Sequence, residues 1–197
     1  DRERARQDRH DRAHAEHGVD RFAEPYGTDE AAGFDLDPER IAAAGEYGFE
    51  VVVDYAHSEV GLDAVLRVAR GVAGSRGRVI CVFGAAGDRD GAKRPKMGRV
   101  ASLLADMSLI TTDDAYSEDP EKIAREVEAG SDLSRTSIEL DRRKAIRRAL
   151  EAARAGDVVV VAGKGHERVQ HLPEGDIPFH DATVVRELLA EIGDRGR

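Results

Sequence analysis

The sequence contains no tryptophan, only one cysteine and no long apolar run. The last two shortages limit what the protein can be. A single thiol, Cys81, cannot form an internal disulfide, and its apolar neighbours favour a small buried side chain over a reactive one. The longest apolar runs fall far below the ~18 residues that a membrane-spanning helix needs. No secretory signal is visible, so we expect a cytoplasmic protein that makes no contact with a membrane.

Positive charge is also in short supply, because 30 Lys and Arg residues face 39 Asp and Glu residues and leave a formal net charge of −9. Binding to a nucleic-acid backbone needs a basic face, so this class of partner is excluded. The length of 197 residues suits one domain with a tail. We expect a monomer.

The first 24 positions carry thirteen charged side chains and almost nothing apolar. Burial of so few apolar groups does not offset the conformational entropy that is lost when the segment becomes ordered. We therefore divide the chain into a charged N-terminal arm, residues 1–46, and a folded domain, residues 47–197. His10, His14 and His17 would share one face of a helix in the arm. A solvated face is favoured over a metal site there, because metal-binding histidines need a rigid frame.

From residue 47 onward, short β-branched runs alternate with segments whose apolar residues recur at helical spacing. This alternation predicts an α/β, Rossmann-like fold: an open, mostly parallel sheet with helices on both faces. The predicted strands are 49–54, 78–83, 106–112, 136–140 and 157–162. The predicted helices are 60–72, 97–105, one that begins at Pro120 with Ile123, Ala124 and Val127 on its inner face, 144–155 and 181–192.

Ligands of such sheets bind at the carboxyl ends of the strands, which selects the loops 55–59, 84–95, 113–119 and 163–167. Loop 84–95 is rich in glycine, and Arg89, Lys93 and Arg94 suit a carboxylate or phosphate, although its spacing is not that of a P-loop. Loop 163–167 reads Gly-Lys-Gly-His-Glu, a turn that would present an anion and an imidazole. For both loops, a solvated connection is the structural alternative.

Two further strand ends carry titratable groups. Asp54 can accept from a ribose hydroxyl or support a metal-bound water, and His57 can position a phosphate or simply pack. Asp113 and Asp114 can hold an ammonium group or repel each other in solvent. The sequence shows no G-x-S-x-G elbow, no cysteine pair and no H-E-x-x-H, so acyl-transfer and zinc chemistry find no support.

Four motifs occur in order along the chain: DYAHS at 54–58, GDRDGAKRPKMG at 87–98, TDD at 112–114 and AGKGHE at 162–167. Together they resemble the C-terminal domain of Mur ligases, and most of all the ligases that add the third amino acid of the peptidoglycan stem peptide. The resemblance covers about residues 47–192. It implies an ATP-dependent and Mg²⁺-dependent amide ligation of an amino acid to a UDP-MurNAc-peptide, through an acyl phosphate.

The resemblance also implies roles for individual residues. Arg89 would pair with a carboxylate of the amino acid, and Gly163 and Glu167 would receive its distal end. The expected amino-acid-binding set is Arg89, Asp114, Ala115, Tyr116, Ser117, Gly163 and Glu167. Asp54, His57 and Arg40 would lie on the nucleotide side, Arg40 by its likeness to a Gly-Arg-Met-Glu segment. No residue is assigned a catalytic or metal-binding role.

The chain departs from the family pattern in two respects. Where diaminopimelate ligases carry Asp-Asn-Pro-Arg, this sequence has residues 114–117, Asp-Ala-Tyr-Ser, which places Ser117 at the specificity arginine and favours lysine or another diamino acid. No G-x-x-x-x-G-K-[ST] motif is present, so we expect the chain to bind no nucleotide tightly by itself and to need a separate P-loop domain. The alternatives are a stand-alone regulatory module and a generic nucleotide-binding domain.

Overall fold

A computed structural model describes residues 39–195 of the protein. A six-stranded sheet forms the centre of this part of the chain. The strands are β1 (Glu39–Arg40), β2 (Glu50–Asp54), β3 (Val79–Phe83), β4 (Met107–Ile110), β5 (Thr136–Ile138) and β6 (Val158–Ala162). Their spatial order is β1-β2-β6-β3-β4-β5, and all neighbours are parallel except β1, which pairs antiparallel with β2 at one edge. The predicted α/β fold with a mostly parallel sheet is confirmed.

Five α-helices connect and cover these strands: α1 (Glu59–Ala73), α2 (Arg94–Leu104), α3 (Pro120–Glu128), α4 (Arg142–Ala152) and α5 (Asp181–Arg195). Two short 3-10 helices, Ala42–Tyr47 and Gly91–Lys93, precede β2 and α2. Ile123, Ala124 and Val127 are the buried residues of α3, as predicted, and Asp119 caps this helix by accepting from the backbone N–H of Glu121.

Alternation along the buried strands separates two helical layers. Alternate residues of β2 and β6 point to the same face of the sheet and share an apolar core with α4 and α5. Val51, Val53 and Val159 are examples. The residues between them, such as Val52 and Val160, are equally buried on the opposite face, where α1 packs on β6 and α2 and α3 follow. A strand that is covered on both faces needs a continuous apolar run, which is why these segments are rich in valine.

No strand was predicted in residues 169–178. β7 (Val169–Leu172) and β8 (Gly175–Pro178) form an antiparallel hairpin outside the main sheet. All four residues of β8 are exposed, and β7 buries only Gln170, so neither strand shows the apolar pattern that identifies a strand in the sequence.

The folded unit also begins earlier than the predicted boundary at residue 47. β1 lies at residues 39 and 40, and Ile41 and Ala44 are buried in the core beside α5. Residues 39–46 therefore belong to the domain and not to an arm. The histidines at positions 10, 14 and 17 and the rest of the predicted arm lie outside the described residues. Within residues 39–195, no helix is both long and apolar enough to cross a membrane.

Candidate functional site

The loops that follow β2, β3, β4 and β6 line one cleft of about 440 Å³ at the carboxyl edge of the sheet. Each of the four segments selected from the sequence contributes at least two side chains or backbone positions. The lining residues are Tyr55, His57, Ala86, Arg89, Asp90, Lys93, Asp113, Asp114, Tyr116, Gly163 and Glu167. Parallel pairing explains this convergence, because it brings the carboxyl ends of all four strands to the same edge.

Hydrogen bonds between the loops hold the cleft in shape. The backbone N–H of Gly163 donates to the carbonyl of Asp54 at 3.1 Å, which continues the β2–β6 ladder into the loops. Gly87 donates in the same way to the carbonyl of Asp114 at 2.7 Å. The ammonium of Lys93 donates to the carbonyl of His57 at 2.9 Å and so joins the first loop to the second.

Gly163 has a backbone that other residues rarely adopt, with a φ angle of 119°. A Cβ at this position would lie 2.3 Å from Oδ2 of Asp113, far inside van der Waals contact. The glycine therefore serves two needs, a positive φ and a close approach of the β6 loop to the β4 loop.

Lys164 is fully buried beneath the cleft, so the solvated connection that the sequence left open for this loop does not apply to the lysine. Its ammonium donates to Asp114 at 2.7 Å and to Glu167 at 2.9 Å. Burial lowers the pKa of Lys164, but the two carboxylates outweigh burial and raise its pKa above the ordinary value. The buried ammonium of Lys164 therefore orients the carboxylates of both Asp114 and Glu167 at the cleft.

Asp113 is a buried carboxylate of the cleft, with 5% of its surface exposed, the same fraction as Asp114. Its Oδ1 accepts the N–H of Asp114, whereas Oδ2 is buried without a hydrogen-bond partner among the described residues. Burial raises the pKa of Asp113, and the charges of Arg142 and Lys164 oppose that rise. A buried oxygen without a partner is free to accept from a ligand donor.

An ion pair with no exposed surface supports the floor of the cleft from below. Arg142, the first residue of α4, donates to both carboxylate oxygens of Asp181, the first residue of α5, at 2.8 and 2.7 Å. The same guanidinium donates to the carbonyl of Ala162, the last residue of β6. The starts of two helices are thereby joined to the strand that carries the Gly163 loop.

Of residues 115–117 in the loop after β4, only Tyr116 lines the cleft, and it adopts a positive φ of 50°. Ser117 does not line the cleft; its hydroxyl donates to Asp88 at 2.8 Å, and its backbone N–H also donates to Asp88. Ala115 is buried, with 1% of its surface exposed. The sequence placed all three in the binding set, and the structure brings only Tyr116 into the cleft.

The three cations of the second loop have different surroundings. Arg89 is exposed and lies over the ring of Tyr116, with its guanidinium carbon 5.6 Å from the ring centroid. Lys93 is half-buried, and burial lowers its pKa. Arg94 is not available to an anion, because its buried guanidinium is held by Glu118 and Glu126 at 2.6–3.0 Å. The expectation that Arg94 would contribute to anion binding is wrong.

The residues expected on the nucleotide side do not come together. His57 lines the cleft, and its Nδ1 donates to the carbonyl of Tyr55 at 2.9 Å. Asp54 is buried and accepts the N–H of Ala56 at 2.7 Å, without lining the cleft. Arg40 forms a bidentate pair with Glu50 at the beginning of β2, whereas the cleft lies beyond the end of that strand.

The cleft also contains residues that were not in the predicted set. Tyr55, Asp90 and Asp113 line it directly, and each is part of one of the four motifs found in the sequence, although only Asp113 was considered there, as a partner for an ammonium group. The β7–β8 hairpin contributes from outside: Gln170 donates to the carbonyls of Thr112 and Asp113, and the N–H of His171 donates to Asp114. No sequence signal pointed to these hairpin contacts.

Comparison with known proteins identifies the family. The family described as "Mur ligase, glutamate ligase domain" matches residues 39–165, and the chain belongs to this family. Among curated relatives, a UDP-N-acetylmuramoyl-L-alanyl-D-glutamate–2,6-diaminopimelate ligase of Aquifex aeolicus is 42% identical over 81% of this chain and 33% of its own length. A ligase of the same name from Chromobacterium violaceum is 46% identical over 74% of this chain and 29% of its own length.

Solved structures agree with this assignment. A UDP-N-acetylmuramoyl-L-alanyl-D-glutamate–2,6-diaminopimelate ligase superposes with a TM-score of 0.71 at 34% identity, covering 83% of this chain and 36% of that protein. A murein peptide ligase from Psychrobacter arcticus shares the fold, with a TM-score of 0.53 at 17% identity, over 79% of this chain and 29% of that protein. The chain spans about a third of the length of the relatives it matches.

Proposed function

We propose that this domain binds the amino acid that a Mur ligase joins to its UDP-MurNAc-peptide. The observation that supports this role is the mixture of charges in one cleft. Arg89 and Lys93 come from the loop after β3, whereas Asp113, Asp114 and Glu167 come from the loops after β4 and β6. A zwitterion with a second ammonium group matches this distribution, because its carboxylate can pair with Arg89 and its distal ammonium with Glu167.

The same charges favour lysine or another diamino monocarboxylate over diaminopimelate. A second carboxylate on the substrate needs a cation besides Arg89. Lys93 already donates to the carbonyl of His57, and the loop after β4 adds only Tyr116 and two carboxylates to the lining. The loss of one charge-assisted contact costs roughly 1.5–3 kcal/mol. The relatives at 42–46% identity are named for diaminopimelate, so substrate choice separates this chain from them if the proposal is right.

Two features argue against Mg²⁺ and a triphosphate as ligands of this cleft. Among residues 39–195, no cluster of three or more His, Cys, Asp or Glu side chains is placed to hold a metal ion. Four carboxylates line the cleft against two cations, which is unfavourable for a triphosphate. We therefore assign ATP and Mg²⁺ to other parts of a ligase, in the cytoplasm where peptidoglycan precursors would be joined.

Isothermal titration calorimetry of the 197-residue chain tests the proposal. Lysine is expected to bind, Arg89→Gln to abolish that binding, and Arg99→Gln, an exposed change on α2, to leave it unaltered. Equal or tighter binding of meso-diaminopimelate would overturn the preference for lysine. Binding of ATP and not of either amino acid would instead support the generic nucleotide-binding alternative.

A second measurement concerns catalysis. The purified chain is expected to show no ATP-dependent amide formation, because its sequence contains no P-loop. Joined to the P-loop portion of a ligase, it should ligate lysine faster than diaminopimelate. Measurable ligation by the isolated chain would contradict the proposed division of roles, and binding without catalysis in any combination would favour a regulatory module.

A further inference from the structure

Three side chains from different parts of the chain are stacked at the edge of the cleft. The rings of Tyr116 and His171 lie 5.1 Å apart and are nearly parallel, with an interplanar angle of 11°. Arg89 lies 5.6 Å from the centroid of the same tyrosine ring. These residues belong to the loop after β4, the β7–β8 hairpin and the loop after β3, so the stack joins three segments that are distant in the sequence.

The tyrosine and the histidine are held by the backbone as well as by their rings. The N–H of Tyr116 donates to the carbonyl of His171 at 3.1 Å, and the N–H of His171 donates to Asp114 at 2.9 Å. Nδ1 of His171 is 2.7 Å from Asp176 on β8, which orients the imidazole. The hairpin therefore presents a fixed aromatic surface to Tyr116.

The side chain of Arg89 is less restrained than the rings of Tyr116 and His171. Its side chain is exposed and lies on a loop that begins with the sequence Gly-Ala-Ala-Gly. An arginine in this position has many rotamers, and a ligand that binds it must order them. Contact between the guanidinium and the face of an aromatic ring restricts those rotamers before a ligand arrives.

We propose that Tyr116, backed by His171, is a positioning residue that holds Arg89 ready for the substrate carboxylate, and that the β7–β8 hairpin is thus part of the amino-acid site. This inference rests on the proposed function for the role of Arg89, but the positioning itself is a property of the free protein. Tyr116 acts through its ring face, so its hydroxyl is not required.

Nuclear magnetic resonance of the free chain tests the positioning without any ligand. Nuclear Overhauser contacts are expected between the Arg89 side chain and the Tyr116 ring, with an upfield displacement of the Arg89 Hδ and Hε signals. Tyr116→Phe should preserve the displacement and Tyr116→Leu should abolish it. Absence of both the contacts and the displacement in the wild-type chain would overturn the inference, whatever the chain binds.

Ligand binding then tests the consequence. Tyr116→Leu is expected to weaken lysine binding about two- to fivefold, the value of an exposed cation–π contact, and Tyr116→Phe to retain it. Cadaverine, which is lysine without the carboxylate, should bind the wild-type and Tyr116→Leu chains equally. An equal loss for both ligands would show that Tyr116 only supports the fold and would refute positioning of Arg89. If the wild-type chain binds no lysine while the Arg89 signals behave as expected, the proposed function fails and the positioning stands.

Discussion

The ammonium of Lys164 lies 2.7 Å from Oδ1 of Asp114, with no exposed surface on the lysine. This pair joins the loop after β6 to the loop after β4, and Glu167 completes it from the other side at 2.9 Å. Two carboxylates of the proposed ammonium site therefore depend on one buried cation for their orientation.

Lys164→Met is expected to destabilise the domain by about 3–5 kcal/mol, because it leaves Asp114 buried without its partner. Urea unfolding of the variant measures this loss. Lys144→Met is the matched control: that lysine is exposed and lies 3.5 Å from Asp141, so its loss should change stability by less than about 1 kcal/mol. Equal losses of unfolding free energy for the two variants would show that the buried ion pair of Lys164 contributes no more to stability than an exposed one.

Gly163→Ala is expected to cost about 1–3 kcal/mol of stability, because the new methyl group meets Asp113 and φ stays positive. Lysine binding should fall with it, since the two loops must separate. Gly71→Ala serves as the control on α1, where nothing lies within 4 Å of a new Cβ. That change is expected to stabilise by about 0.5–1 kcal/mol. A tolerated alanine at 163 would contradict the described contact between the loops.

The pair between Glu118 and Arg94 predicts a dependence of stability on pH. Hydrogen bonds from Arg94 and from the N–H of Asp88 lower the pKa of Glu118 to about 2, against about 4.3 in an unfolded chain. The stabilisation is fully present above the unfolded value and is lost as the pH falls through the folded value.

Between about pH 4.3 and pH 2, the free energy of unfolding should therefore fall more steeply for the wild-type chain than for Glu118→Gln. Glu118→Asp keeps a carboxylate and should retain part of the slope. Urea unfolding at several pH values gives these slopes, and parallel curves for wild type and Glu118→Gln would refute the assignment.

Substrate choice should respond to position 116 more than to position 117. Tyr116→Arg places a third cation on the cleft, in addition to Arg89 and Lys93, whereas Ser117→Arg places it beside Asp88, away from the lining residues. The ratio of dissociation constants for lysine and diaminopimelate is expected to move toward diaminopimelate about tenfold or more for Tyr116→Arg. It should change less for Ser117→Arg.

The ratio isolates this effect, because loss of the contact with Arg89 weakens both ligands through the α-carboxylate that they share. A larger change for Ser117→Arg would restore the original assignment from the sequence and contradict the described loop. Calorimetric titrations of the two variants and the wild-type chain are sufficient to decide between them.

Local patterns were enough to predict five strands of the main sheet, because β2, β3 and β6 are covered on both faces and so contain runs of at least three apolar residues. The same reasoning missed the β7–β8 hairpin, whose strands are largely exposed and contain polar residues, a glycine and a proline. It also placed the domain boundary too late, because β1 is only two residues long and obtains its order from pairing with β2.

The sequence by itself determined which loops carry the site, since parallel strands bring their carboxyl ends to one edge wherever their residues allow such a sheet. Only the tertiary structure decided which side chains of those loops face the cleft. The positive φ of Tyr116 turns Ser117 outward, and burial withdraws Lys164 and Arg94 from solvent. These outcomes depend on the contacts of Tyr116 with β7, of Lys164 with Asp114, and of Arg94 with Glu118 and Glu126, and no local pattern encodes contacts between residues that are distant in the chain.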